Sequence, residues 1–440
     1  MAVASTLWVL TTNKDDKSDL FFKYRRYTVF CVLGRLVVHH LKPVIPEKSV
    51  ENHESRGVIS QSVLLGYSNA DKLSYFSAYR WKNETTVILS SYGYLNRLVY
   101  CRLFDANRTE ILSGQKSISV FPEFTVKCGK SSSSPREKPP VYVAVTINKK
   151  DIPETMQRIS EQANLSEKKG TSEFTVCLAP LFGETPKNLM LMEFIEYYSL
   201  QGADNFLIYT HSVSNETAKL LDFYQKNVKI KIEIIPIGNT TKCANRHRCR
   251  HEMQLQDCVY RTQNYAKWVA TVDLDERIMP VNEDTRIIDL LRNTKSPAIA
   301  ELRFRCQWTL RYSEIPHGPP QIKHLPMMTW HNTSHVAPQN HTTKSIIRPS
   351  LVESMGVHGV LKMRKMGNSN FPAPKLKLVE PEEAVVRHYR LTQGWSFFLK
   401  EAESFGDFWH YEISHGLGKE IVERVDRVIE EFAGYFNASD

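Results

Sequence analysis

Trp268-Val269-Ala270-Thr271-Val272-Asp273-Leu274-Asp275-Glu276 is the stretch that decides the fold. An uncharged, largely apolar run breaks off abruptly into acidic residues. Such a run, bounded on both sides and without polar alternation, reads as a strand buried on both faces, which belongs to a parallel sheet covered by helices. The sequence before it agrees. Residues 174–181 form a short apolar run, 206–209 and 229–237 read as strands, and 188–200, 215–225 and 251–265 carry helical spacing. In 188–200 the spacing is set by Leu189, Met192, Ile195, Glu196 and Ser199. Strands alternating with helices of this length give an α/β fold. Ligands of such sheets bind beyond the carboxyl ends of the strands, which is where Asp273 and Asp275 fall.

Two carboxylates two residues apart at that point suit a hard divalent cation. Mg²⁺ or Mn²⁺ takes oxygen ligands and is usually shared between one or two carboxylates and substrate phosphates. An Asp-x-Asp pair alone also fits a plain acidic turn after a strand.

The chain of 440 residues carries 57 Lys+Arg against 48 Asp+Glu, a formal charge of +9. That excess is spread out; its densest run is Arg246, Arg248 and Arg250 with His247 and His251, without the aromatic interleaving of a nucleic-acid surface. A pocket for an anionic small molecule such as a nucleotide diphosphate is the better use of the cations. Hydrophobic content of 42% and charged content of 24% exclude a disordered chain, and 19 Gly exclude a collagenous one. No run approaches the roughly 20 apolar residues of a membrane span.

Three parts are expected. Residues 1–60 read as a leader with a stem or linker at 42–56, and Lys23-Tyr-Arg25-Arg26 ahead of 27–34 resembles a degraded signal-anchor as much as a buried strand near 28–38. Residues 61–135 form a β-rich N-terminal extension, closed by the Ser131–Pro135 break. Residues 140–435 carry the α/β domain. Eight Asn-x-Ser/Thr sequons, at Asn83, Asn107, Asn164, Asn215, Asn239, Asn332, Asn340 and Asn437, exceed the roughly three that chance supplies and point to a glycoprotein of the secretory pathway.

Several ordered motifs resemble one family. Gln256-Asp-Cys258-Val-Tyr-Arg261, then 266–277 around the acidic pair with Pro280 behind it, look like the core motif of glycosyltransferase family 92, which is abundant in nematodes. Glu193-Phe-Ile-Glu196-Tyr197-Tyr198 and Gly202-Ala-Asp204-Asn-Phe206 match upstream. Lys344-Ser-Ile-Ile-Arg348-Pro349, Met355-Gly-Val-His358 and Arg387-His388-Tyr389-Arg390 match downstream, in order. The resemblance implies a GT-A (Rossmann-like) fold, a Golgi enzyme associated with the membrane through its N-terminus, Mn²⁺, and a UDP-sugar donor. Its characterised relatives are inverting β-galactosyltransferases, some acting on fucose of the N-glycan core. Asp273 and Asp275 would then hold the metal, with Asp273 also meeting the substrate, and His388 or His358 would complete the site. Arg348 and Arg390 are candidate contacts to the diphosphate, because guanidinium forks onto phosphate oxygens.

An inverting displacement needs a carboxylate to take the acceptor's proton, for which Glu301 and Asp407 are the candidates. Cys243, His247, Cys249, His251 and Cys258 lack the paired spacing of a closed zinc site. The aromatic residues from Trp395 to Tyr411 serve as core or as sugar-stacking faces. Rival readings are a transferase using another UDP-sugar, a metal-dependent phosphate hydrolase, and a carbohydrate-binding pseudoenzyme. Acceptor, linkage and oligomeric state are not written in the sequence.

Overall fold

The computed structural model describes strands at 5–10, 24–32 and 35–38, and residues 73–438 apart from 131–138, 154, 161–170, 227–229, 239–248, 317–319, 367–370 and 394–395. The stem at 42–56, the Ser131–Pro135 break, Cys243, the cations at 246–248, Asn164, Asn239 and Trp395 lie outside the described residues. Residues 1–60 form one compact unit and 61–440 another. In the first unit, Ser5–Leu10, Tyr24–Val32 and Arg35–Val38 make an antiparallel three-stranded sheet. Of the stretch weighed as an anchor, residues 27–32 are extended chain. Among the described residues no helix is long and apolar enough to cross a membrane.

The second unit is built around one large sheet. Its elements are β1 (Ser172–Gly183), α1 (Asn188–Leu200), β2 (Asn205–Val213), α2 (Asn215–Lys226), β3 (Lys231–Pro236), α3 (Cys249–Thr262) and β4 (Ala266–Val272). Then come β5 (Glu276–Pro280), α4 (Ile287–Asn293), β6 (Ile299–Phe304), β7 (Cys306–Arg311), β8 (Lys344–Ile347), β9 (Lys375–Leu378), β10 (Ala384–Leu391) and α5 (His415–Ala438). The order is β3-β2-β1-β4-β8-β6-β9, with β3, β2, β1 and β4 parallel and β8 antiparallel to both neighbours. A second sheet sets β10 between β5 and β7. The fold is α/β, of the GT-A kind expected.

Side chains alternate between two cores, as the pleat requires. Phe174, Val176 and Leu178 of β1, Phe206 and Ile208 of β2, and Trp268, Ala270 and Val272 of β4 face a core shared with α1 and α5. Cys177, Leu207, Tyr209 and Val269 face the other core, shared with α3. Helix α5 contributes Leu417, Ile421, Val425, Val428 and Phe432, one stripe at three- and four-residue spacing. Helix α1 is apolar nearly all round and ends at Gly202, whose φ of +96° suits glycine; a Cβ there would lie 2.6 Å from Ile288.

The β-rich extension runs past residue 135. Tyr142–Thr146 and Gln157–Arg158 join Leu98–Phe104 and Glu110–Ser119 in one sheet, while Tyr75–Trp81, Glu84–Leu89 and Thr125–Lys130 form another. A Cys101–Cys128 disulfide joins the two. The extension shares the α3-side core through Phe76, Tyr79, Ile88 and Phe124. At that seam the fully buried Asp257 accepts hydrogen bonds from Ser77 (2.5 Å), Tyr79 (2.6 Å), Tyr209 (2.6 Å) and Arg261 (2.8 Å). One residue along the same helix, Cys258 is bonded to Cys177 of β1, so it is no zinc ligand.

Candidate functional site

Strand β4 delivers the chain to the edge of a cleft of about 710 Å³. The walls are the carboxyl ends of parallel strands: 179–183 of β1, His211 and Ser212 of β2, and Asp273, Leu274 and Asp275 after β4, with Arg250, His251, Arg311 and Glu314 around them. Residues 273–276 do form an acidic turn, since the Glu276 amide donates to the Asp273 carbonyl (3.1 Å) and the Asp273 amide to the Glu276 carboxylate (2.8 Å). The turn is what presents Asp273 and Asp275 to the cleft.

Each acid is held from behind by a cation. Lys344, buried at the start of β8, donates to Asp273 Oδ2 (2.9 Å) and lies 3.1 Å from Glu276 Oε2. His388 of β10 meets Asp275 Oδ2 at 3.2 Å through Nε2 and faces Glu276 Oε1 at 3.6 Å through Nδ1. Register explains the meeting, because β10 pairs His388 directly with Glu276 across β5. His251 of α3 stands 3.7 Å from Asp273 Oδ1. Behind the turn, the buried pair Arg277–Glu193 (2.8 Å) fixes β5 against α1, and Glu193 also accepts from the Met327 amide (3.0 Å).

The electrostatics follow from these contacts. Burial raises the Asp273 carboxyl, but Lys344 and then His251 outweigh it and hold it well below the ordinary range. Burial likewise opposes ionisation of Asp275, and His388 overrides it. In Glu276 burial wins and the carboxyl is raised despite Lys344. Burial disfavours the His388 imidazolium, yet Asp275 beside it pushes the group up to about 10. Two ionised carboxylates that wall the cleft, each with one oxygen held by a protein cation, fit a hard divalent ion as donor set.

The other expected residues part company. Arg390 stacks on Trp308 (5.4 Å) and feels the charges of Asp275 and Glu276, so it belongs to this cluster. His358 sits in the turn after 352–356, its Nδ1 3.3 Å from the Thr343 carbonyl, one residue from Lys344. Arg348 is elsewhere. Because β8 runs antiparallel to β4, Lys344 stands at the acidic end and Arg348 at the opposite one, over the Trp268 ring (4.3 Å) and bonded to the Thr294 carbonyl. It therefore cannot reach a ligand of the cleft. Glu301 is also corrected: it is fully buried, accepts from Arg303 (2.8 and 3.0 Å), Ser345 (2.6 Å) and the Val360 amide (3.2 Å), and is not among the residues that wall the cleft. Asp407 is exposed and is not among the residues that wall the cleft.

Sequence reading missed Lys344, Arg311 and Glu314. For Lys344 the signal was present: Ser345-Ile346-Ile347 is a strand with a cation at each end, and only the sheet tells which end faces the acids.

The family model described as Glycosyltransferase family 92 matches residues 172–421. The chain is similar to the beta-1,4-galactosyltransferase galt-1 of Caenorhabditis elegans, with 24% identity over 215 residues, 47% of this chain and 47% of that protein. The chain thus spans about half the length of the curated relative it matches. Among solved structures, S. aureus TarS 1–349 is similar at 12% identity and a TM-score of 0.27, covering 59% of this chain and 72% of that one. The mannosyltransferase PcManGT of Pyrobaculum calidifontis, solved with GDP-Man and Mn²⁺, gives 10% identity and 0.30, covering 62% and 76%.

Proposed function

The chain belongs to glycosyltransferase family 92, and on that premise we propose that it moves a sugar, galactose from UDP-galactose, onto a glycan acceptor with inversion at the anomeric carbon. The observation that carries the reading is the pair Asp273 and Asp275 at the carboxyl end of β4, ionised and walling a cleft of about 710 Å³. Ligand cavities commonly measure about 300–1,000 Å³. Fucose of the N-glycan core is the acceptor proposed, in line with the family resemblance.

In this reading Asp273 and Asp275 hold a divalent cation, with His251 and His388 beside them. When bound, that ion supplies Lewis-acid charge to the departing diphosphate. The protein's own residues do the rest. Lys344 and His388 fix the two carboxylates in place, so that little reorganisation is needed when substrate arrives. Arg311 and Arg250 add positive charge to the walls around a nucleotide diphosphate. The Arg277–Glu193 pair keeps the turn rigid from beneath.

A location in the Golgi or secretory lumen is proposed with it. Two disulfides, Cys101–Cys128 and Cys177–Cys258, suit an oxidising compartment, and the sequon residues Asn83, Asn107, Asn215 and Asn340 are exposed. The test of function is UDP release by the full chain from a panel of UDP-sugars, with Mn²⁺ or EDTA, with and without fucosylated N-glycans. EDTA-sensitive, acceptor-stimulated release from UDP-galactose is expected. Binding of UDP and Mn²⁺ without turnover on any donor would favour the pseudoenzyme instead, and faster release from a different UDP-sugar would reassign the donor.

A further inference from the structure

A second cavity, of about 630 Å³, lies beside the first, and the two share Lys187, Met190 and Glu314. Its wall is largely apolar, with Leu189 from α1, Ile315, and Ile429 and Phe432 from α5. Three carboxylates wall the first cavity: Asp273, Asp275 and Glu314. The first two are committed to Lys344 and His388. Glu314 is exposed and accepts no hydrogen bond from any described residue; Lys187 is the cation that shares the wall common to both cavities with it. Glu301 and Asp407 wall neither cavity.

We propose that Glu314 is the general base of the transfer and that the second cavity receives the acceptor; both rest on the transferase reading above. A base must touch the acceptor hydroxyl while the donor's anomeric carbon lies within reach on the other side, and Glu314 stands on the wall common to both chambers. The hydroxyl oxygen bonds to the anomeric carbon, the bond from that carbon to the diphosphate oxygen breaks with its electron pair leaving on UDP, and the hydroxyl proton passes to the Glu314 carboxylate. The apolar wall selects an acceptor with a hydrophobic sugar face or aglycone next to the reacting hydroxyl.

The test compares wild type, Glu314→Gln, Glu314→Ala and Ile429→Trp in the full chain. Glu314→Gln is expected to lower kcat about 10²–10⁴-fold, with the donor KM and the melting temperature close to wild type. Azide carries no proton to remove, so Glu314→Ala with azide should regain UDP release and form the glycosyl azide, a rescue that a structural role would not give. Ile429→Trp, which crowds the second cavity, should raise the acceptor KM roughly tenfold, a cost of about 1.4 kcal/mol, and spare the donor KM. A wild-type chain that turns over beside a Glu314→Gln chain of equal kcat would overturn the base. An unchanged acceptor KM in Ile429→Trp would overturn the acceptor's place. A wild type that binds UDP-galactose but never turns over removes the transferase reading itself, and this inference with it.

Discussion

Asp257 and the pair Asp273/Asp275 are acids set only one helix and one strand apart in sequence, and the structure treats them in opposite ways. Asp257 is sealed at the seam between the β-rich extension and the sheet, with three hydroxyls and a guanidinium on its two oxygens. Asp273 and Asp275 are each gripped on one oxygen, by Lys344 and His388, and wall an open cleft. A buried charge whose acceptor capacity is filled is a joint, because nothing remains for a ligand to satisfy. A charge half satisfied from behind is positioned for something that arrives from in front.

That contrast can be broken at either end. The largest effect expected is from Asp257→Ala, which strands Arg261 and three buried hydroxyls; chemical denaturation should show a loss of about 3–5 kcal/mol, toward the lower figure because Arg261 keeps Glu233 at 2.8 Å. Activity per folded molecule should hold. Asp275→Asn should do the reverse: UDP release falls about 10²–10³-fold, or about 2.7–4 kcal/mol of barrier, while the melting temperature stays near wild type, since the amide oxygen can still meet His388. Loss of folding in Asp275→Asn, or loss of turnover per folded molecule in Asp257→Ala, would blur the two classes into one.

A covalent version of the same division lies one residue along. The Cys177–Cys258 disulfide ties α3 to β1 across a separation of 81 residues, and Cys177→Ala/Cys258→Ala should cost about 2–4 kcal/mol of stability. The metal requirement of UDP release should be untouched in that double variant. The smallest effect is expected at Arg348. Arg348→Lys weakens a stack on Trp268 at the far end of the sheet, so stability should fall by less than about 1 kcal/mol and the KM for UDP-galactose should not move. A large rise in that KM would return Arg348 to the site.

The reach of the sequence differs element by element. Strand β4 was legible because burial on both faces demands an uncharged run, and its end was legible because carboxylates cannot stay inside unpaired. His388 and Arg390 were found by motif, and β10 does carry them to the acids. Glu301 failed for a different reason. A glutamate at a strand looks the same in sequence whether it faces a ligand or an Arg303 fork, a Ser345 hydroxyl and a backbone amide. The β-rich boundary at 135 failed because strand 142–146 pairs with residues 100–104, some forty residues back, and 157–158 then pairs with 142–143, whereas turn signals mark where a chain bends rather than what it returns to.

By itself the sequence determined the α/β alternation, the place where the acids leave the sheet and the family to which the chain belongs, since each is a local pattern of residue types along the chain. Only the tertiary structure decided which end of β8 meets those acids, giving the site Lys344 and removing Arg348. It alone buried Glu301 under four hydrogen bonds and brought Glu314 to the wall between two cavities. The physical reason is that strand direction, register and the saturation of a carboxylate are set by partners far away in sequence, through hydrogen bonds that no local pattern encodes.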